Sequence, residues 1–206
     1  MEEKFKQLEA LTAGWERVQS NVPKTLAANS GATLLPGGKA LKLKMMDREC
    51  EVDLSSRKIK YAGESRTEVS TYLQILVLHY LAGAGNAQVS NRLATFREFE
   101  GGAIYYPAFK ARAIDMIVKA FGTSPDVLKH IGHVLRAEPV STGDVGFRIH
   151  FFPKLPIVIV LWLGDDEVSP SANMLFDANA GKMLPTEDLS VVGGAAIRWL
   201  VDISRK

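Results

Sequence analysis

From Ile157 to Trp162 the chain reads IVIVLW, a run without one polar side chain. A strand with one wet face alternates apolar and polar residues. An uninterrupted β-branched run belongs instead to a strand covered on both faces. The run predicts a central strand and demands a fold with a layer on each side of it. It is far too short to cross a bilayer as a helix. Upstream, Phe147, Ile149 and Phe151 alternate with Arg148 and His150, and Pro153 to Pro156 interrupts the pattern. Downstream, "NMLFDAN" predicts a further strand, closed by Asn179-Ala180-Gly181.

The rest of the chain supplies the cover. Phe5, Leu8, Leu11 and Trp15 recur at helical spacing over residues 2 to 20, and Pro23 opens a second short helical stretch. "KALKLKM", "CEVDL" and "KIKY" alternate with period two and predict an antiparallel meander over about 40 to 61. Ser65-Arg66-Thr67-Glu68 fits a capping box ahead of "VSTYLQILVLHYLAGAG", which is apolar on most sides and predicts a buried helix. His79 lies within it as a core histidine. Pro107 suits the first position of a helix whose buried face is Phe109, Ala113, Met116, Ile117 and Ala120. Ser124-Pro125-Asp126 starts another, with the serine as its side-chain cap, a pre-set proline and an acid in the first turn. Thr186 is the expected cap of a last helix buried through Leu189, Val192, Ala196, Trp199, Leu200 and Ile203. Gly193 and Gly194 inside it cost on the order of 2 kcal/mol against alanine. Either the helix breaks there or something lies close against its backbone. Helices and strands come in blocks rather than alternating. That order predicts an α+β fold, a mostly antiparallel sheet with segregated helices on it, and not βαβ units. At 206 residues the expectation is a single domain over 1–206, within which the helix and meander of 1–62 can form a subdomain.

Composition excludes several classes. The hydrophobic fraction is 47% and the charged fraction 23%, which is ordinary globular usage. The net charge of +2 is too small to build a field for nucleic acid or a membrane surface. Cys50 is the only cysteine, so it forms no internal disulfide and no cysteine-rich metal site. The N-terminal "MEEKFKQLEALTAGW" is charged and helical rather than secretory, and a cytoplasmic location is expected. No nucleophile elbow, phosphate loop or dinucleotide fingerprint is present. His130 and His133 stand one turn apart, but no third ligand is close in sequence, and no metal is expected there.

The richest segment follows the central run. Asp165, Asp166 and Glu167 come directly after Gly164. Ser169, Ser171, Asn173 and Asp177 follow, then Glu187 and Asp188. Three readings fit. The acids can be a solvated turn, with Asp177 ending its strand and the last two serving a helix dipole. They can line a ligand pocket, with Trp162 as the apolar wall and Asp165, Glu167, Ser171 and Asn173 as polar contacts. They can hold a hard cation, although the spacing is not that of an EF-hand loop. Around Gly101-Gly102, Arg97, Glu98, Glu100, Tyr105, Tyr106 and Arg112 cluster. They read as a solvated helix start or as a source of one arginine facing the acids or an anionic ligand.

Two blocks, "FREFEGGAIYYPAFKAR" (96–112) and "FFPKLPIVIVLWLGDDEVSPSANMLFDANAGKMLPTEDLSVVGG" (151–194), resemble the DUF3786 family. The tryptophan-bearing first helix and "YLQILVLHYLAGAG" fit the same resemblance, which therefore covers most of the chain. It implies a compact α+β protein of bacteria and archaea, mostly anaerobes. It further implies relatives that carry a cysteine-rich iron–sulfur segment and a setting in corrinoid or one-carbon metabolism. It assigns no catalytic residue. With Cys50 alone, this chain departs from cluster-binding relatives and would serve such a pathway through a partner or a small ligand.

Together these readings predict a cytoplasmic binding or accessory module. Its small-ligand or partner-protein site lies at the end of the strand Ile157–Trp162, built from Trp162, Asp165, Glu167, Ser171 and Asn173, with Asp177 and Arg97 in support. Neither a nucleic acid nor a membrane is an expected partner, and no cofactor is assigned. The alternative is a hydrolase or transferase using a carboxylate of the Asp165–Glu167 cluster as general base. That role needs a pKa raised toward neutrality by burial or a like charge.

Overall fold

The computed structural model of the chain describes residues 2–63 and 67–205. Two compact units emerge. One comprises residues 1–88 with 152–154 and 182–184; the other comprises 89–151, 155–181 and 185–206.

The first unit begins with helices α1 (Glu2–Gln19) and α2 (Pro23–Ser30). Strands β1 (Thr33–Leu34), β2 (Ala40–Met45), β3 (Arg48–Asp53) and β4 (Lys58–Tyr61) form an antiparallel sheet in that order, and helix α3 (Thr71–Gly83) follows. Period-two alternation decides the faces of the sheet. Leu41 pairs with Val52 and Val52 with Ile59, all buried. Lys42 pairs with Glu51 and Glu51 with Lys60 on the opposite face. α3 is buried through Leu73, Leu76, Val77, Leu78, Tyr80 and Leu81. Tyr80 stacks on Phe152, with ring centroids 4.4 Å apart. Its hydroxyl donates to the Ser30 carbonyl (2.7 Å) and accepts from the Lys154 amide (2.9 Å). A buried phenol with both donor and acceptor used has no desolvation debt left unmatched. The capping box expected at Ser65–Glu68 includes residues outside those described. α3 starts later, behind Ser70, whose side chain makes no cap hydrogen bond.

The second unit contains strand β5 (Leu93–Thr95), a 3₁₀ turn (Phe96–Glu98), helix α4 (Gly102–Phe109), a π turn (Lys110–Ile114) and helices α5 (Asp115–Phe121) and α6 (Pro125–Val134). Strands β6 (Glu138–Pro139), β7 (Val145–Phe152), β8 (Leu155–Trp162) and β9 (Ser171–Asp177) come next, then a short turn of helix, α7 (Ala180–Met183), and α8 (Thr186–Ile203). The sheet order is β5-β9-β8-β7-β6, so β8 is the middle strand. Every residue from Leu155 to Leu161 is buried. The architecture is α+β, with antiparallel sheets of four and five strands.

Three local expectations are corrected. Pro107 does not open its helix. α4 begins at Gly102, and Pro107 lies inside it. A proline has no N–H to give the preceding turn and leaves a carbonyl short of its partner; the helix then passes into the π turn at Lys110. Thr186 is the first helical residue of α8, and Pro185 occupies the cap position. Ser124 caps α6 without a side-chain hydrogen bond.

The glycine pair in α8 resolves the other way. The helix is unbroken, and its backbone is closely approached. A Cβ at Gly193 would lie 2.7 Å from Cε2 of Phe109, and one at Gly194 would lie 3.2 Å from Cβ of Arg112. Phe109 in turn stacks on Phe96 at 4.1 Å, and both rings lie beside Phe176 of β9. The missing side chains of α8 are what let the aromatic cluster reach the sheet.

Candidate functional site: the β8–β9 connection

β8 stays apolar until it leaves the core, and exposure changes abruptly there. Leu161 is fully buried, whereas Trp162 is 37% exposed, Leu163 41% and Val168 62%. Ser171 pairs with Trp162 across the strands, and Asn173 pairs with Val160. Trp162, Ser171 and Asn173 are therefore brought to one end of the sheet. Asn173 spends its side-chain oxygen on the Met174 amide (2.9 Å).

Asp165 builds the turn. Its Oδ1 accepts from the amides of Glu167 (2.9 Å) and Val168 (2.8 Å), and its own amide donates to the Val168 carbonyl (2.9 Å). This is the Asx geometry in which a side chain takes the place of a backbone acceptor. The amides of Glu167 and Val168 hold the Asp165 carboxyl below its ordinary range. Gly164 is required beside it, because a Cβ there would sit 2.4 Å from the Val168 carbonyl oxygen. Asp165 thus shapes the loop, and the exposed side chains of Asp166 and Glu167 carry the loop's outward charge.

Asp144 joins this end from a distant part of the chain. Its Oδ2 accepts from the Leu163 amide (2.8 Å), and its amide donates to the Leu161 carbonyl (3.0 Å). Sequence reading missed it, because nineteen residues separate the partners. The available signal was the turn-forming "STGD" immediately before β7.

Asp177 and Arg97 are placed elsewhere. β9 runs antiparallel to β8, and Ser171 and Asp177 are its opposite ends, roughly 20 Å apart. There Asp177 is 1% exposed and accepts from the Ser90 amide and hydroxyl and from the amides of Asn91 and Asn179. Burial disfavours its charge, but these donors outweigh burial and hold the carboxyl below its usual range. Arg97 follows β5, with β9 between that strand and β8. Its guanidinium lies over the Tyr106 ring, 3.8 Å from the centroid.

The profile of one family, described as "Domain of unknown function (DUF3786)", matches residues 22–199. The chain belongs to the DUF3786 family. The match includes the whole five-stranded sheet and the turn that carries Asp165. No curated protein and no solved structure matches the chain.

Elsewhere in this DUF3786 chain, shallow clefts lie on the polar face of the four-stranded sheet, lined by Lys42, Glu51, Asp53, Lys58, Lys60 and Tyr61 among others. Their charges alternate strand by strand, and Lys42 reaches Glu49 at 3.3 Å. Among the described residues no cluster of three or more His, Cys, Asp or Glu could hold a metal ion. Among them, too, no helix is long and apolar enough to cross a membrane.

Proposed function

We propose that the protein is a non-catalytic binding or accessory module that recognises a partner protein through the β8–β9 connection. One observation carries the reading: Trp162, Leu163 and Val168 stand exposed on the same short loop as Asp166 and Glu167. Isolated apolar residues on a surface are ordinary, but three on one short connection, an aromatic among them, are the kind of side chains that anchor an interface. Acids at the rim select a partner with Lys or Arg beside its own apolar side chains. The ring face of Trp162 favours the same cations. Such a surface suits a protein segment better than an enclosed small molecule. The corrinoid or one-carbon setting implied by the family resemblance supplies the partners to try first.

The general-base alternative draws less support. A base must be moved toward neutrality, and Asp165 is moved the other way while its Oδ1 already serves two amides.

The test is site-specific crosslinking. A photoreactive residue replaces Val168 in the native host, and crosslinked proteins are identified by mass spectrometry. The expected capture joins a lysine- or arginine-bearing apolar segment of one protein. It is lost in Trp162→Ala and in the double variant Asp166→Lys with Glu167→Lys, with melting unchanged. Capture that survives both variants would sink the reading. A small molecule that co-purifies with the native protein and is lost in Trp162→Ala would replace the partner protein by a ligand.

A further inference from the structure

The exposed stretch from Trp162 to Val168 is held at both ends by chain that lies far from it in sequence. At its entrance the β6–β7 connection presses on the end of β8. Gly143 has φ +78°, and a Cβ there would lie 2.4 Å from Cγ1 of Val160 and 2.8 Å from the Leu161 carbonyl oxygen. Glycine alone takes that backbone conformation at so close an approach. The approach delivers Asp144. Its amide donates to the Leu161 carbonyl (3.0 Å), and its Oδ2 accepts from the Leu163 amide (2.8 Å). Two bonds from one residue thus bracket Trp162. Leu163 lies one residue beyond β8, where the ladder with β9 has ended, so the carboxylate stands in for a strand partner. At the exit, Pro170 packs on the end of α5: a Cβ at Gly122 would lie 3.3 Å from Cβ of Pro170. Between the two anchors the Asp165 turn closes the connection on itself.

We infer that Asp144 is a positioning residue for the partner surface, a latch that orders Trp162 and Leu163 before any partner arrives. This role rests on the reading of the β8–β9 connection as a partner site, and it adds what controls that site. A surface already ordered loses less conformational freedom on binding, and so binds more tightly for the same contacts. A carboxylate suits the task, because its bond to an amide is stronger than that of a neutral acceptor.

Hydrogen exchange and crosslinking of the whole protein test it together. In the isolated protein the Leu163 amide is expected to exchange slowly, and Asp144→Ala to speed it about tenfold. In crosslinking through Val168, Asp144→Ala is expected to lower capture about tenfold with melting unchanged. Asp144→Asn, whose side-chain oxygen still accepts from that amide, is expected to recover most of the capture. Fast exchange at Leu163 in the wild type overturns the latch outright, whatever the variants do. Slow exchange with capture unmoved by Asp144→Ala overturns the latch and leaves the partner site in place. Equal losses in Asp144→Ala and Asp144→Asn overturn it too, because the partner would then be reading the charge of Asp144. Capture that falls only in step with melting makes Asp144 structural. Capture that survives Trp162→Ala overturns the partner site itself.

Discussion

Ser90 donates to Asp177 twice, through its amide to Oδ2 (2.9 Å) and through its hydroxyl to Oδ1 (2.9 Å). Asn91 and Asn179 add an amide each, so a buried carboxylate ties the end of β9 to the chain entering β5. Asp177→Asn keeps the shape but replaces one acceptor oxygen with a donor that faces these N–H groups. The expected loss is about 2–3 kcal/mol of stability, read by denaturant unfolding. The pH dependence has a definite sign. The folded-state pKa lies below the unfolded one, so the stabilisation is complete above the unfolded value near about 4 and disappears as pH falls through the folded value. The wild type should lose stability on acidification over that window, and the variant should lose less. Equal slopes for the two proteins would show that another carboxylate controls acid unfolding.

Gly193 and Phe109 make a second prediction. On an exposed helix, Gly→Ala gains about 1 kcal/mol. Here the new Cβ meets the Phe109 ring at 2.7 Å and Ala113 at 3.2 Å. Phe109 cannot step back, because it is stacked on Phe96. Overpacking of this kind costs about 1–3 kcal/mol. Gly193→Ala should therefore lower the melting temperature, and a rise would mean that the aromatic cluster yields more easily than its stacking implies.

The hydroxyl of Ser190 is buried and has no hydrogen-bond partner among the described residues. Its desolvation is uncompensated, at a cost of about 1–3 kcal/mol. Ser190→Ala removes the oxygen and leaves little space behind, so it should raise stability by roughly 1 kcal/mol. Calorimetry on the purified variant decides it. No gain would place a water or a rotated hydroxyl bond at that position.

Much of this was legible because period and burial are local. IVIVLW announced the middle strand, and the lysines of "KALKLKM" marked the wet face of the meander. What escaped depends on chain direction and distant contacts. Asp165 and Asp177 are near neighbours in sequence, but the return of β9 carries one to each end of the sheet. Asp144 reaches Leu163 across a hairpin, which spacing cannot reveal. The start of α4 was misplaced because proline is best tolerated at a first turn, and here tertiary packing of Phe109 overrode that preference.

Cys50 gives the last prediction. It is fully buried in β3 with its thiol directed at the Leu43 carbonyl (3.4 Å). Burial is the main cause that pushes its pKa up to about 12. Its own backbone amide opposes the rise, and Glu49 adds to it. Only a thiolate attacks a disulfide reagent, so at pH near about 8 the folded protein holds roughly a thousand times less of the reactive form than an unfolded chain does. Burial blocks access as well. An aromatic disulfide reagent should therefore leave the native protein unlabelled and modify one thiol promptly in denaturant. Across intermediate denaturant, the labelling rate should track the unfolding of the four-stranded sheet. Rapid labelling without denaturant would mean that β3 opens locally while the rest of that sheet stays folded.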